Sequence, residues 1–213
     1  MDLSKISLAE HLQNKKDEFA DKIKDAQKTI QPELLEFLVN LGMEGERSAV
    51  VLGAERINVS VENLLKCFLR PSAGKKDALF ASQGALAAFS KKIEMAYRIG
   101  LIDLKMRQAI DMVRNLRNDF AHATTVETLQ DQKHSDRVQA LWKLMMNGNK
   151  NALEGFDDCF RDAAKQVGAK LGKQTACYLS CIMAILIKLE LARYHVEPPF
   201  IVLPVKVNFD DPD

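Results

Sequence analysis

Apolar positions recur at spacings of three and four along most of the chain, and this period predicts helices rather than strands. The repeat is longest between residues 44 and 70. Its apolar positions are Val50, Ala54, Ile57, Val61, Leu64, Leu65 and Phe68. Because one face of such a helix is apolar throughout, we expect it to be the central core helix.

Turn residues divide the rest of the pattern into further helices. Pro32 begins a short apolar helix that we expect to close at Gly42, and residues 71–76 form a loop. Two helices follow, the first from residue 79 and the second after Gly100, with Asp103 as the expected N-cap of the second. The apolar face of that second helix reads Leu104, Ile110, Val113, Leu116 and Phe120. After a polar loop over residues 123–134, helices are expected at about residues 136–146, 151–170 and 173–194.

The two ends of the chain differ from this body. Residues 1–31 are heavily charged with sparse apolar positions, which predicts a solvated helix that docks by a thin stripe. Residues 197–213, EPPFIVLPVKVNFDDPD, combine four prolines with β-branched residues and predict an extended tail, lying on the body or adding to a partner. We therefore expect an all-α helical domain at residues 32–196 between a charged helix and a Pro-rich tail.

Composition agrees with the all-α prediction and limits the function. Hydrophobic residues make up 47% of the 213 positions, which is ample for a core, and there are only 10 Gly and 6 Pro. The formal net charge is +1. A chain this close to neutral lacks the overall charge of a protein that coats nucleic acid nonspecifically, so any contact with nucleic acid must be local.

Cysteine usage and hydropathy indicate a cytoplasmic protein. The four cysteines, Cys67, Cys159, Cys177 and Cys181, lie in apolar helical patterns without zinc-binding spacing, which favours buried thiols in a reducing compartment. We expect no metal and no cofactor. The most apolar stretch, residues 176–192, is interrupted by charged side chains and is short of the roughly 20 apolar residues that cross a bilayer, so no membrane is expected.

The segment RNLRNDFAHA, residues 114–123, collects polar side chains at the end of an apolar helix. Arg114, Asn118 and His122 are four apart and form one row, with Arg117 beside it. A histidine near a helix C-terminus is favoured as imidazolium, and an arginine offers donors to phosphate oxygens. Together they suffice for metal-independent RNA cleavage, in which a base activates the ribose 2′-hydroxyl against the adjacent phosphate.

A capped helix end explains the same residues without chemistry. Arg117 would then pair with an acid such as Asp111 or Glu62, and His122 would bond the last free carbonyls. Asn118 either orients His122 and the phosphate or satisfies backbone groups at the helix end. Asp119 points away from the row and is expected on the surface.

Arg117 through His122, RNDFAH, resembles the R-x4-to-6-H motif of the HEPN superfamily. The sequence around this motif resembles the mannitol-repressor (MltR-like) family. The likeness lies in residues 84–103, in the helix that follows and carries RNDFAH, and in residues 46–69. The likeness covers roughly residues 44–123. The HEPN resemblance implies an all-α bundle that forms a homodimer, with two motifs in one composite cleft that cleaves RNA.

Further residues are predicted to assist the motif. Arg114, Lys91 and Lys92 are candidate phosphate contacts, because the interval 91–118 carries seven basic and three acidic residues. A charge run on helices is, however, usually a solvated face. Asn58 and Glu62 are four apart on the core helix and either support the motif or form an ordinary surface edge.

Two functions from different classes remain open on the sequence alone. The first is a HEPN-like endoribonuclease, a toxin or antiphage effector, with His122 as general acid and base, Arg117 as phosphate contact and Asn118 as orienting residue. Its partners would be RNA, a second copy of the chain and a protein inhibitor. The second is a noncatalytic MltR-like regulatory protein that acts through a protein partner, since no helix-turn-helix with a basic recognition helix is evident.

Overall fold

The computed structural model describes residues 33–72, 74, 76–124, 127–147, 150–166 and 171–196, and these contain seven α-helices and no strand. The helices are α1 (residues 33–44), α2 (Glu46–Phe68), α3 (Phe89–Arg98), α4 (Leu104–His122), α5 (Gln132–Met146), α6 (Lys150–Gln166) and α7 (Lys173–His195). The all-α prediction is confirmed. The predicted N-terminal helix at 1–31 and the predicted tail at 197–213 lie outside the described residues.

Helices α2 and α7 form the centre of the bundle. Helix α2 packs against α3, α4 and α7, while α5 and α6 cover the other side of α7. The apolar repeat of α2 is buried as predicted, apart from Phe68 at its end, which is half-buried. The hydroxyl of Tyr178 on α7 donates to the carbonyl oxygen of Val50 at 3.2 Å, so the one polar atom of this fully buried ring has a partner.

Helix α7 is a core helix. The segment Lys173–Tyr194 has a mean hydropathy of 1.7, enough by length and composition to cross a membrane, but 67% of it is buried inside the bundle. A helix that is apolar on every side is expected either in a membrane or at the centre of a protein. Its burial by α2, α5 and α6 accounts for the composition without a membrane.

Two predicted helix boundaries are wrong. Helix α1 continues through Gly42 to residue 44. The next residue, Gly45, has a φ of 120°, which lies in the region that favours glycine. The helix expected from residue 79 begins only at Phe89, because residues 78–88 form successive turns. Gly84 causes this difference: a Cβ there would lie 2.3 Å from the carbonyl oxygens of Ala78 and Leu79, so the turn closes only on glycine.

Two further expectations about burial need correction. Leu104, assigned to the apolar face of α4, is 48% exposed, and Met106 and Ala109 are buried in that first part of the helix. All four cysteines are free thiols, but only Cys181 is buried, while Cys67 and Cys159 are exposed. The exposed positions are compatible with free thiols, but they show that packing in an apolar core is not a role shared by all four cysteines.

Candidate functional site at the C-terminal end of α4

Helix α4, which carries the predicted polar row, is fixed by a cap at its N-terminus and by buried side chains along its inner face. Its N-terminus is capped as predicted, since Asp103 Oδ1 accepts a hydrogen bond of 2.7 Å from the backbone N–H of Met106. Its inner face anchors the last three turns through Ile110, Val113, Leu116 and Phe120, all buried. The polar row therefore lies at the border between this core face and solvent.

His122 occupies the last turn of α4 and is exposed. Within the described part of the chain, its imidazole has no hydrogen bond and no ion pair. The ring therefore does not bond the last carbonyls of the helix, as the capping interpretation expects. One of those carbonyls, that of Ala121, accepts a hydrogen bond of 3.4 Å from Arg47 Nη2 instead.

Arg117 is half-buried and is held by two neighbours. Its Nη1 donates to Asn118 Oδ1 at 3.2 Å, and its Nη2 lies 3.7 Å from Glu55 Oε2 on α2. The capping interpretation was right that an acid pairs with Arg117, but that acid is neither Asp111 nor Glu62. Because the Glu55 side chain is 46% exposed, this ion pair is a weak one.

Arg114 faces along its own helix. Its Nη2 lies 3.2 Å from Asp111 Oδ1 and donates to Asn115 Oδ1 at 3.4 Å. Its Nε is enclosed and has no hydrogen-bond partner in the described residues. Arg114 is thus committed to α4 rather than directed at His122.

Asn58 and Glu62 belong to a network that reaches the motif through Glu55. Asn58 Nδ2 donates to Glu55 Oε1 at 2.9 Å. Lys92 Nζ donates to Asn58 Oδ1 at 3.1 Å and to Glu62 Oε2 at 2.7 Å. Partial burial raises the pKa of Glu62, but the hydrogen bonds from Lys66 and Lys92 outweigh it, so the pKa is below its ordinary value.

The position of Lys92 does not fit its predicted contact with phosphate. The residue is only 4% exposed, and its ammonium group is occupied inside the protein by Asn58 and Glu62. Lys91 beside it is exposed. Both lie next to the middle of α2, about 20 Å along that helix from Arg47 and the end of α4, at 1.5 Å per residue.

Sequence reasoning missed Arg47 and Glu55, which are the α2 residues nearest the motif. Arg47 is exposed and reaches Ala121, and Glu55 reaches Arg117. A signal for them was present. Positions 47, 55, 58, 62 and 66 carry Arg, Glu, Asn, Glu and Lys, and their spacings place them on one polar stripe of α2.

A second set of charges joins α4 to α5. Asp119, predicted as a plain surface residue, is 2.8 Å from Lys133 Nζ and also accepts from Arg137, both on α5. The hydrogen bond from Lys133 lowers the pKa of Asp119, partial burial opposes this, and Arg137 adds to the lowering. His134 on α5 is buried, and its Nε2 bonds Glu127 Oε2.

The loop that follows α4 is fastened to the start of α2. The backbone N–H of Leu129 donates to Glu46 Oε2 at 2.6 Å, and Thr175 Oγ1 donates to Glu46 Oε1 at 2.7 Å. Glu46 therefore joins the loop, α2 and α7 beside Arg47. The last two turns of α4 are therefore contacted by basic side chains from other helices, since Arg47 bonds Ala121 and both Lys133 and Arg137 bond Asp119.

Three cavities of about 380, 390 and 520 Å³ lie on the helical bundle, and none of these three is lined by Arg117, Asn118 or His122. The largest approaches the row only through Asp111 and Asn115. These three cavities therefore supply no substrate cleft at His122.

The described residues define an all-α helical protein. No protein-family model, curated protein or solved structure matches the chain. The resemblance to the HEPN superfamily and to the MltR-like family therefore stays a prediction.

Proposed function

We propose that the protein is a cytoplasmic, HEPN-like, metal-independent endoribonuclease, acting as a toxin or antiphage effector, and that its active site is the C-terminal end of α4. The observation that carries the proposal is the state of His122: an exposed imidazole without a partner in the described residues, five residues after Arg117 on the same helix. A proton-transfer group must be free to approach substrate. His134, by contrast, is buried against Glu127 and is unsuited to this role.

The reaction requires a base, an acid and stabilisation of charge on phosphorus. His122 removes the proton of a ribose 2′-hydroxyl, and that oxygen attacks the adjacent phosphorus. The bond from phosphorus to the 5′-oxygen breaks, and a protonated imidazole donates the proton that this oxygen needs. The products are a 2′,3′-cyclic phosphate and a 5′-hydroxyl, and no bond is oxidised or reduced.

Arg117 stabilises the charge that develops on the phosphate oxygens. In the free protein its guanidinium is held near Glu55 at 3.7 Å, a distance at which a half-exposed pair contributes at most about 1 kcal/mol. A phosphate group offers two oxygens in the geometry of the guanidinium, so it competes well with that single contact. Asn118, already bonded to Arg117, orients the guanidinium.

A homodimer supplies the missing wall of the cleft in this proposal. His122 at the end of α4 is exposed among the described residues, and two copies related by a twofold axis would place two such ends together. His122 of the partner subunit then serves as the acid while the first acts as the base.

The test is RNA cleavage by the purified chain in excess EDTA. Wild type should release fragments ending in 2′,3′-cyclic phosphate, and His122→Ala should lose at least a hundredfold in rate, since a positioned acid–base group contributes about 10²–10⁴-fold. Gln108→Ala, an exposed change on the same helix, is the matched control and should leave the rate unchanged. Equal rates in wild type and His122→Ala, or activity abolished by EDTA, would overturn the proposal.

A noncatalytic MltR-like regulatory protein that binds a protein partner is the second candidate. It is favoured by the ion pairs of the two arginines, Arg117 with Glu55 and Arg114 with Asp111, since both are already satisfied within the chain. The same His122→Ala variant distinguishes the two. Full biological effect in a variant that folds normally supports the partner-binding protein.

A further inference from the structure

A groove of about 380 Å³ lies at the end of the bundle opposite His122. It is formed by the start of α4, the end of α5 and the last turns of α7. Its apolar walls come from Leu101, Ile102, Met106, Leu144, Met145, Leu189 and Ala192. Two basic side chains, Lys105 and Lys188, and one acidic side chain, Asp103, also line it, so basic groups outnumber acidic ones.

The chain leaves α7 beside this groove. Ala192 lines the groove, α7 ends one turn later at His195, and Val196 has an extended backbone with ψ of 106°. Residues 197–213 follow, outside the described part of the chain. Four extended residues span about 13 Å, slightly more than the rise of about 12 Å along the helix axis from Lys188 to Val196. Residues from about 200 onward are therefore within reach of the whole groove.

The composition of residues 197–213 matches what the groove offers. Phe200, Ile201, Val202, Leu203 and Val205 make an apolar run, and Asp210, Asp211 and Asp213 follow it. The flanking prolines restrict the chain to extended forms, which reduces the conformational entropy lost when it is held in place. The apolar run meets apolar walls, and the acidic residues meet Lys105 and Lys188.

We propose that residues 200–205 of the same molecule occupy this groove, with Asp210 and Asp211 near Lys105 and Lys188. The N-terminal segment is a poorer occupant, because it enters the described structure at Glu33. That residue lines a different groove, with Leu34, Phe37 and Arg56. The proposal does not depend on the ribonuclease: α4 places this groove about 27 Å from His122.

The test uses the full chain and a carbodiimide that joins a lysine amine to a nearby carboxylate. Wild type should give links from Lys105 or Lys188 to Asp210 or Asp211. Mixing ¹⁴N- and ¹⁵N-labelled chains identifies links within one molecule, since these carry a single isotope. Ile201→Asp/Leu203→Asp should reduce the links several-fold and raise the acetylation rate of Lys188 several-fold, with Lys91 as the exposed reference lysine.

Asn208→Asp is the matched control, because it adds charge to the tail outside the apolar run and should leave both measurements at wild-type values. Mixed-isotope links would mean that the tail of a second copy fills the groove, which overturns the proposal. It is also overturned if links and Lys188 acetylation are unchanged in Ile201→Asp/Leu203→Asp. Circular dichroism of each variant confirms that the helical bundle is intact during labelling.

Discussion

Arg47, in the first turn of α2, donates a hydrogen bond of 3.4 Å to the carbonyl oxygen of Ala121, the residue that precedes His122. A basic side chain near the last carbonyls of a helix interacts favourably with the helix dipole. Arg47 is exposed, so its other N–H groups face solvent beside the candidate site. Its position lets one guanidinium both cap α4 and contact an RNA phosphate in the proposed enzyme.

Arg47→Ala should separate these two roles. Because the hydrogen bond is long and exposed, we expect the free energy of unfolding to fall by less than about 0.5 kcal/mol. RNA binding should weaken several-fold, with a shallower dependence on salt, since one phosphate contact is lost. Binding curves at several salt concentrations test this, with Arg47→Lys as the charge-preserving control. An unchanged salt slope would remove Arg47 from the proposed interface.

Glu55 holds Arg117 in the free protein, so Glu55→Gln should release it. We expect RNA binding to tighten by about twofold to tenfold and stability to change by less than about 1 kcal/mol, as for an exposed ion pair. Glu94→Gln is the matched control: Glu94 is similarly exposed and lies 3.0 Å from Arg107, away from the motif. Equal changes in both variants would show a general charge effect instead.

Lys92 should matter for stability and not for RNA. Removing this buried ammonium takes one of two lysine partners from Glu62, which keeps Lys66, and leaves Asn58 Oδ1 without its donor, so Lys92→Ala should lower the free energy of unfolding by about 1–3 kcal/mol. Lys91→Ala, the exposed neighbour, should cost less than about 0.5 kcal/mol. Urea denaturation measures both. If the two variants are equally stable, the Lys92 network contributes nothing to the fold.

Local signals explain why the helices around the site were predictable. The apolar period marked α2 and the core face of α4, and Asp103 marked the N-cap, because each depends on residues close in sequence. The turns at 78–88 were not predicted. They need glycine at position 84 because the backbone there lies close to that of Ala78 and Leu79, and the spacing of apolar residues along the sequence does not reveal such a contact.

The partners of the site residues were less predictable, since they depend on which helices cross. Arg117 pairs with Glu55 because α2 lies against the end of α4. The two acids that the sequence suggested for this pairing, Asp111 and Glu62, pair with other basic side chains. Lys92 was likewise predicted on the surface from its charge alone. The sequence does not show whether its ammonium group faces solvent or polar groups inside the protein. Side-chain type indicated the chemistry, and tertiary packing decided which groups are free.

Asp119 should make stability depend on acid pH. Its pKa is lowered in the folded protein, first by the hydrogen bond from Lys133, against partial burial, and further by Arg137. A carboxyl group with a depressed folded pKa stabilises the fold above its unfolded value, about 3.9, and this contribution is lost as pH falls through the folded pKa. Melting temperatures measured from pH 7 down to pH 2.5 should therefore decline less steeply in Asp119→Asn than in wild type.

The variant should also be less stable at pH 7, and Asp162→Asn, which alters an exposed pair with Lys165, should follow the wild-type curve. Parallel curves for wild type and Asp119→Asn would mean that Lys133 and Arg137 do not hold this carboxylate in solution.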